Sequence, residues 1–172
     1  VDDHCQDSVI VDIFYKNGLL MNSNGGHVKL PIGVHEIEYR ARDICYNQDT
    51  CVMIVTVVDK TPPIAICDRE TVVTLTRDDE IHVYADVLDD GSYDGCHLDS
   101  MLVRRMDNGA PCGYNDNTFK PYVRFCCEDV GKTIQVVFRV VDVAGNTNEC
   151  MVMVEVQDKT PPIVYCPHDV TI

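Results

Sequence analysis

Ten cysteines among 172 residues are the side chains most able to do chemistry here, and their spacing decides which chemistry. A structural zinc site shows a short Cys-x-x-Cys pair followed by a second Cys or His pair. The closest neighbours are instead Cys45 with Cys51 and the adjacent Cys126 and Cys127, while Cys5, Cys67, Cys96, Cys112, Cys150 and Cys166 are scattered and the six histidines do not gather beside them. Cysteines used this heavily without metal spacing read as disulfides, which persist in an oxidising compartment outside the cytoplasm.

Carboxylates are the second such group. Asp86, Asp89, Asp90 and Asp94 crowd one stretch in which Gly91 and Gly95 permit tight turns. Hard oxygen ligands on a glycine-bearing loop suit calcium, which takes six to eight oxygens in irregular geometry. Asp59 and Asp158, and Asp43 and Asp142, are placed to rigidify boundaries in the same way. The competing reading is a set of solvated turns whose carboxylates cap local backbone amides, since the twelve-residue calcium loop with its terminal Glu is missing. Calcium is the one cofactor the sequence suggests.

An enzyme is not expected. No G-x-S-x-G elbow, H-E-x-x-H pair or phosphate-binding glycine loop occurs. Ser92, Asp94 and His97 within six positions of one loop read as a hydrated turn rather than a triad, and adjacent Asp89 and Asp90 point apart rather than flanking a glycosidic bond. Tyr84, Tyr93, Tyr114 and Tyr122, with the Asn-, Gly- and Pro-rich stretch 107–121, offer a glycan-binding surface, although Tyr rings in sandwiches mostly bury their bodies and wet only their tips.

The charge narrows the partners. Fourteen Lys and Arg against 28 Asp and Glu give a net charge of −14. Nucleic acid and anionic lipid are bound mainly by neutralising phosphate, so this balance excludes the first and argues against the second. A hydrophobic share of 45% can build a core, and no apolar run approaches the roughly 18 residues of a membrane span.

The elements that must position these residues announce themselves through a repeat. Residues 51–67 read CVMIVTVVDKTPPIAIC and residues 150–166 read CMVMVEVQDKTPPIVYC, identical at ten of 17 positions with a constant offset of 99. The same offset matches Arg40 with Arg139, Asp43 with Asp142 and Asn47 with Asn146, and pairs Tyr39 with Phe138. Tandem copies of one unit follow. Residues 59–157 form one complete unit, 1–58 the C-terminal part of a preceding copy and 158–172 the start of a following one. No leader opens the chain, so an internal slice of a longer secreted chain is expected.

Within the complete unit the apolar period is two. Ile81, Val83, Ala85 and Val87 alternate with His82, Tyr84, Asp86 and Leu88, and Ile134, Val136, Phe138 and Val140 alternate with Thr133, Gln135, Val137 and Arg139. Further strands are expected at 71–76, 101–106, 121–127 and 150–157, each followed by Gly, Asp, Asn or Pro. Six or seven short strands in this length predict a two-sheet antiparallel β-sandwich. At the junctions, Pro62 with Pro63 and Pro161 with Pro162 cannot donate to a ladder, so they are expected to end one unit and fix an extended connection to the next.

The pattern D-K-T-P-P-I-x-x-C at Asp59 to Cys67, followed by V-x-F-R-V-x-D-x-A-G-N-x-x-x-C from Val136 to Cys150 and a second D-K-T-P-P ending at Pro162, resembles the hyalin repeat, an immunoglobulin-like module. The stretch 89–96 and the pair Cys126 and Cys127 are similar to the version found in very large surface adhesins of gliding bacteria. The first copy departs from the pattern, with Cys45 and Tyr46 where the second has Ala144 and Gly145. The resemblance implies an all-β chain of tandem, disulfide-stapled immunoglobulin-like antiparallel sandwiches on the outer surface of a cell. Its implied partners are neighbouring repeats, surface polysaccharide or other cell-surface proteins. It also implies a structural part in an adhesin filament for surface attachment and gliding.

The preferred pairing joins Cys67 to Cys150, leaves Cys96 and Cys112 to share Cys126 and Cys127 in either order, and closes Cys5 on Cys45. Cys51 and Cys166 would take partners in sequence absent here. A bond between the adjacent Cys126 and Cys127 is the strained alternative.

Overall fold

The structure is a computed structural model that describes residues 9–16, 18–22, 28–76 and 80–166, with the backbone alone at 19–22. The chain divides into two compact units, Val1–Asp59 and Lys60–Ile172. Among the described residues no helix is long and apolar enough to cross a membrane.

The first unit is a four-stranded antiparallel sheet. Its strands β1 (Ile10–Tyr15), β2 (Gly18–Asn22), β3 (Gly33–Arg42) and β4 (Gln48–Val57) lie in the order β2-β1-β3-β4, so β4 is an edge. The long β3–β4 hairpin runs in unbroken register from Gly33 opposite Val57 to Arg42 opposite Gln48. Ile37 and His35 are its buried side chains. The imidazole is tolerated there because both nitrogens are used, Nδ1 with the Tyr15 hydroxyl at 2.9 Å and Nε2 with the Pro31 carbonyl at 2.7 Å.

The second unit holds β5 (Glu70–Thr74), β6 (Glu80–Tyr84), β7 (Leu98–Arg105), β8 (Tyr122–Cys126), β9 (Thr133–Asp142) and β10 (Thr147–Gln157). A four-stranded sheet, β5-β10-β9-β7, packs in a sandwich-like arrangement with the two-stranded pair β6-β8. Period-two alternation turns Ile134, Val136, Phe138 and Val140 of β9 and Val152, Val154 and Val156 of β10 onto one face. There they meet Val83, Val123 and Phe125 from the smaller sheet.

Two expectations about the strands change. The strand beginning at Ile81 stops at Tyr84, and Ala85–Leu88 is a 3-10 turn. Its ladder ends because β8 starts only at Tyr122, so the Ala85 amide takes the carbonyl of Pro121 instead. Three residues per turn place Ala85 and Leu88 on the same side, and both are buried while Val87 faces out. The sandwich is also not purely antiparallel, because β5 pairs with β10 in parallel, Glu70 opposite Met153 through Thr74 opposite Gln157.

Candidate functional site: the seam between entering and leaving strands

The parallel pairing follows from where the chain is tied. Cys67 and Cys150 form a disulfide with Cα atoms 6.3 Å apart. Glu70 lies three residues after Cys67 and Met153 three residues after Cys150, so both strands leave the bridge in the same direction and stay in step. The seam extends beyond the ladder at both ends. Asn146 Nδ2 donates to the Thr61 carbonyl at 3.4 Å and Asn148 Nδ2 to the Pro63 carbonyl at 2.9 Å. At the other end the Leu75 amide donates to the Gln157 carbonyl at 2.9 Å, and the Thr160 hydroxyl to the Leu75 carbonyl at 3.4 Å.

The seam takes in the first proline pair. Pro62 and Pro63 lack amide donors but keep their carbonyls, and at Pro63 that acceptor is clasped by Asn148 while the ring is fully buried. Pro62 and Pro63 therefore begin a strand-like segment sewn onto β10 of the second unit. Pro161 and Pro162 are exposed and follow directly on Thr160, where the seam closes.

The acidic loop lines the other side of the same segment. Ile64 and Tyr93 exchange backbone bonds of 2.8 and 3.1 Å, the Asp90 amide donates to the Ile66 carbonyl at 3.0 Å, and the Asp68 amide to the Leu88 carbonyl at 3.1 Å. Ser92 adds its hydroxyl, which accepts from the Ile66 amide at 2.9 Å and donates to the Ile66 carbonyl at 3.0 Å. The glycine-bearing loop thus straps the junction segment against β10, and Gly91, at φ 97°, supplies the positive dihedral its turn needs.

The carboxylates face their own backbone. Asp89 Oδ1 accepts from the Ser92 amide at 2.9 Å, Asp94 Oδ2 from the Cys96 amide at 2.6 Å and Asp158 Oδ1 from the Thr160 amide at 2.8 Å. Asp86 and Asp90 are exposed, and Asp59, the last residue of the first unit, is half-buried. Among the described residues, no three of Asp86, Asp89, Asp90, Asp94, Asp142 and Asp158 bring carboxylate oxygens within 4.8 Å of one another.

Asp142 organises the β9–β10 turn. Its Oδ1 accepts from the Ala144 and Asn146 amides at 2.9 and 2.8 Å, and its Oδ2 from Asn146 Nδ2 at 2.8 Å. Burial pushes the Asp142 carboxyl up, but the Asn146 side chain and the backbone amides outweigh it and hold the pKa below the ordinary value. Asn146 thereby couples the turn to the seam through its bond to Thr61. Ninety-nine residues earlier Asp43 repeats the device, with Oδ1 accepting from the Asn47 amide at 2.9 Å and Oδ2 from Asn47 Nδ2 at 2.7 Å.

Among the described residues the second disulfide is Cys112–Cys126, with Cα atoms 5.9 Å apart. A companion bridge between Cys96 and Cys127 is not formed. Cys96 precedes the start of β7, whereas Cys127 follows Cys126, whose partner Cys112 lies against Arg105 at the other end of β7. Strand β7 is about 25 Å long at 3.3 Å per residue, several times the span of a disulfide. Cys45, Cys51 and Cys166 are exposed, and Cys5 lies outside the described residues.

Sequence reasoning missed the ion cluster beside that bridge. Arg105, 4% exposed, makes paired hydrogen bonds to Asp129 at 2.7 and 3.0 Å and to Asp107 at 2.8 and 2.7 Å, and one to the Arg124 carbonyl at 2.8 Å. Burial alone would lower the Arg105 pKa, but the bonds to Asp107 and Asp129 raise it, and Arg105 holds Asp107 low in turn. Residues 24 apart in sequence carry no spacing signal that could have revealed the pair. The tyrosines separate: the Tyr114 hydroxyl donates to Glu80 at 2.7 Å and, through burial and that bond, is pushed up to about 12, while Tyr93 sits on the strap. Tyr122 lies between His82, stacked at 4.6 Å, and Tyr84 at 5.5 Å.

Comparison with known proteins places the chain in no family: no family model matches it, and no curated protein matches it as a relative.

Proposed function

We propose that the chain is a load-bearing segment of a large exported adhesin filament at the cell surface, built from tandem immunoglobulin-like units of the hyalin type. Such units hold an adhesive element away from the cell for attachment and gliding. The seam is the observation that carries this reading. Tension on the second unit enters at the junction prolines and leaves along β10, and in a parallel pair it pulls the two strands past one another. The ladder bonds then share the load instead of opening one by one. Beyond them, the covalent path crosses from Cys67 to Cys150, which have a sequence separation of 83, so the intervening core carries no tension. The 99-residue sequence repeat and the matching turns at Asp43 and Asp142 support the tandem arrangement. The two disulfides support an oxidising, extracellular setting.

Single-molecule pulling on the full chain tests this directly. Reduction is expected to release about 280 Å of hidden length, the bridged loop at about 3.4 Å per residue. Equal extension of the oxidised and reduced forms would defeat the load-bearing reading. A competing reading, a glycan-binding or calcium-dependent module, draws on the His82, Tyr122 and Tyr84 rings on one exposed face and on the acidic loop. Glycan-array binding by the isolated chain, lost in Tyr84→Ala, would favour it.

A further inference from the structure

We infer that the open edge of β7, beside the Tyr84 ring, is a docking site for an extended basic segment of a partner protein, which adds to the sheet as one more strand and sets a Lys or Arg against Asp86 and Asp99. The site shares no residue with the seam, so it stands independently of the load-bearing reading. Its main chain is offered by the way hydrogen bonds alternate along β7. The Met106 amide donates to the Gln135 carbonyl at 3.0 Å, on the β9 side. Two-residue periodicity turns the amides of Met101, Val103 and Arg105 the other way. At Val103 the amide donates to the Lys120 carbonyl at 2.7 Å and the carbonyl accepts from the Lys120 amide at 3.0 Å.

That cover stops at Lys120. Pro121 carries no amide, its carbonyl is taken by the Ala85 amide at 2.8 Å, and Tyr122 opens β8 opposite Tyr84, so the chain leaves β7 for the smaller sheet. Among the described residues no strand lies beside Met101, which lines a cleft of about 390 Å³. The Met101 side chain packs against the core, so its amide and carbonyl are what the edge presents. The ladder shifts register between Leu98 and Ser100, which leaves Asp99 as the extra residue of a bulge lining the same cleft.

The side chains select the occupant. Tyr84 is 51% exposed, and Asp86 and Asp99, both exposed, are the charged residues of the lining. Among the described residues neither carboxylate joins a salt bridge. A cation entering the cleft therefore meets two carboxylates outside any ion pair and the face of an aromatic ring. The net charge of −14 attracts such a partner and repels an acidic one. A bare main-chain donor and acceptor at strand spacing favours a peptide over a sugar, because a peptide completes the ladder. Acidic side chains beside an edge can also serve only to keep other strands away, and the two roles differ in what they bind.

The test adds a labelled short peptide of alternating valine and lysine to the full chain and reads fluorescence anisotropy, with amide exchange followed alongside. The peptide is expected to bind at least tenfold more tightly than its counterpart with glutamate for lysine, and to lose affinity severalfold as salt rises. It should slow amide exchange at Met101 severalfold, whereas a fully N-methylated version, which cannot donate to the ladder, should give no protection. Asp86→Asn combined with Asp99→Asn should lower the affinity at least tenfold. Both side chains are exposed, and unchanged exchange at the buried Val136 and Val140 would show that the core of the double variant is intact. No binding would mean that the two acids only guard the edge. Binding indifferent to the double variant or to N-methylation, or protection away from Met101, would equally overturn the proposal. Binding of a chitosan oligosaccharide that Tyr84→Ala abolishes, without binding of the peptide, would assign the cleft to a basic sugar instead.

Discussion

The β3–β4 and β9–β10 hairpins are built from matching sequence, yet one is sealed and the other open. Their registers coincide under the offset of 99, and so do their turns, down to the Asp carboxylate clasped by an Asn four residues on. Their burial does not coincide. Val152, Val154 and Val156 are fully buried, whereas the matching Met53 is 42% exposed and Val55 and Val57 only half-buried. The difference lies in what flanks them: β10 gains β5, the disulfide and the facing β6–β8 pair, and β4 gains none of these. A hairpin's turn and register are therefore local properties of its sequence, while the value of its apolar face is set by elements far away in the chain.

The largest expected break in this comparison comes from the paired positions Phe138 and Tyr39. Phe138 is fully buried, so Phe138→Ala should cost about 3–5 kcal/mol, the loss of a core aromatic plus the cavity it leaves. Tyr39 is half-buried on an open sheet, and Tyr39→Ala should cost only about 1 kcal/mol on the area it removes from water. Denaturant unfolding followed by amide exchange at β9 and at β3 reads the two separately. Equal losses would mean that the first unit's sheet is covered as fully as the second's.

Why some of this could be read from sequence and some could not follows from the same contrast. Period-two alternation reports a strand's two faces, so β9 and β10 stand out, as do the turn residues between them. Cys67 and Cys150 drew attention through their place beside the repeated junction, and the structure bridges them. The parallel seam has no periodicity of its own, since its partners lie 82 to 85 residues apart and include the carbonyl of a proline read as part of an extended connection between units. The alternation at Ile81 to Leu88 misled for a physical reason: three-residue turns also place Ala85 and Leu88 on one side, and only the late start of β8 decides between turn and strand. The acidic loop's carboxylates are plain in the sequence, but no spacing reports that its main chain straps the junction segment or that the oxygens of Asp89 and Asp94 take amides of the same loop.

A smaller effect separates the two turns by pH. Asn47 holds the Asp43 carboxyl low, as Asn146 and its neighbours hold Asp142 low against burial. A carboxylate with a lowered folded pKa gives support that is complete above its unfolded value, near 3.8, and is lost as pH falls through the lower folded value. Both turns should therefore open below about pH 3.8, seen as faster amide exchange at Asn47 and Asn146. Asp142→Asn should remove that acid dependence at Asn146 and leave Asn47 titrating as before. Loss of the dependence at both positions would show that the turns are not independent.

The smallest effect concerns the residue that made the first copy depart from the pattern. Tyr46 occupies the place of Gly145, and both adopt left-handed backbone, with φ of 71° and 85°. A side chain in that region clashes with its own backbone, at a cost of about 1–2 kcal/mol, which glycine avoids. The turn tolerates Tyr46 because the side chain is 79% exposed and the Asp43 and Asn47 bonds fix the backbone regardless. Tyr46→Gly should stabilise the first hairpin by about 0.5–1 kcal/mol, somewhat less than the strain because glycine loses more freedom on folding. Gly145→Ala should destabilise the second by about 1 kcal/mol, and since no atom lies within 4 Å of an added Cβ, that cost is purely conformational. Opposite signs at the two positions, read as shifts in amide exchange at the two turns, would show that the same backbone is imposed on both by the Asp and Asn clasp. Destabilisation by Tyr46→Gly would mean instead that the tyrosine ring itself holds the first turn.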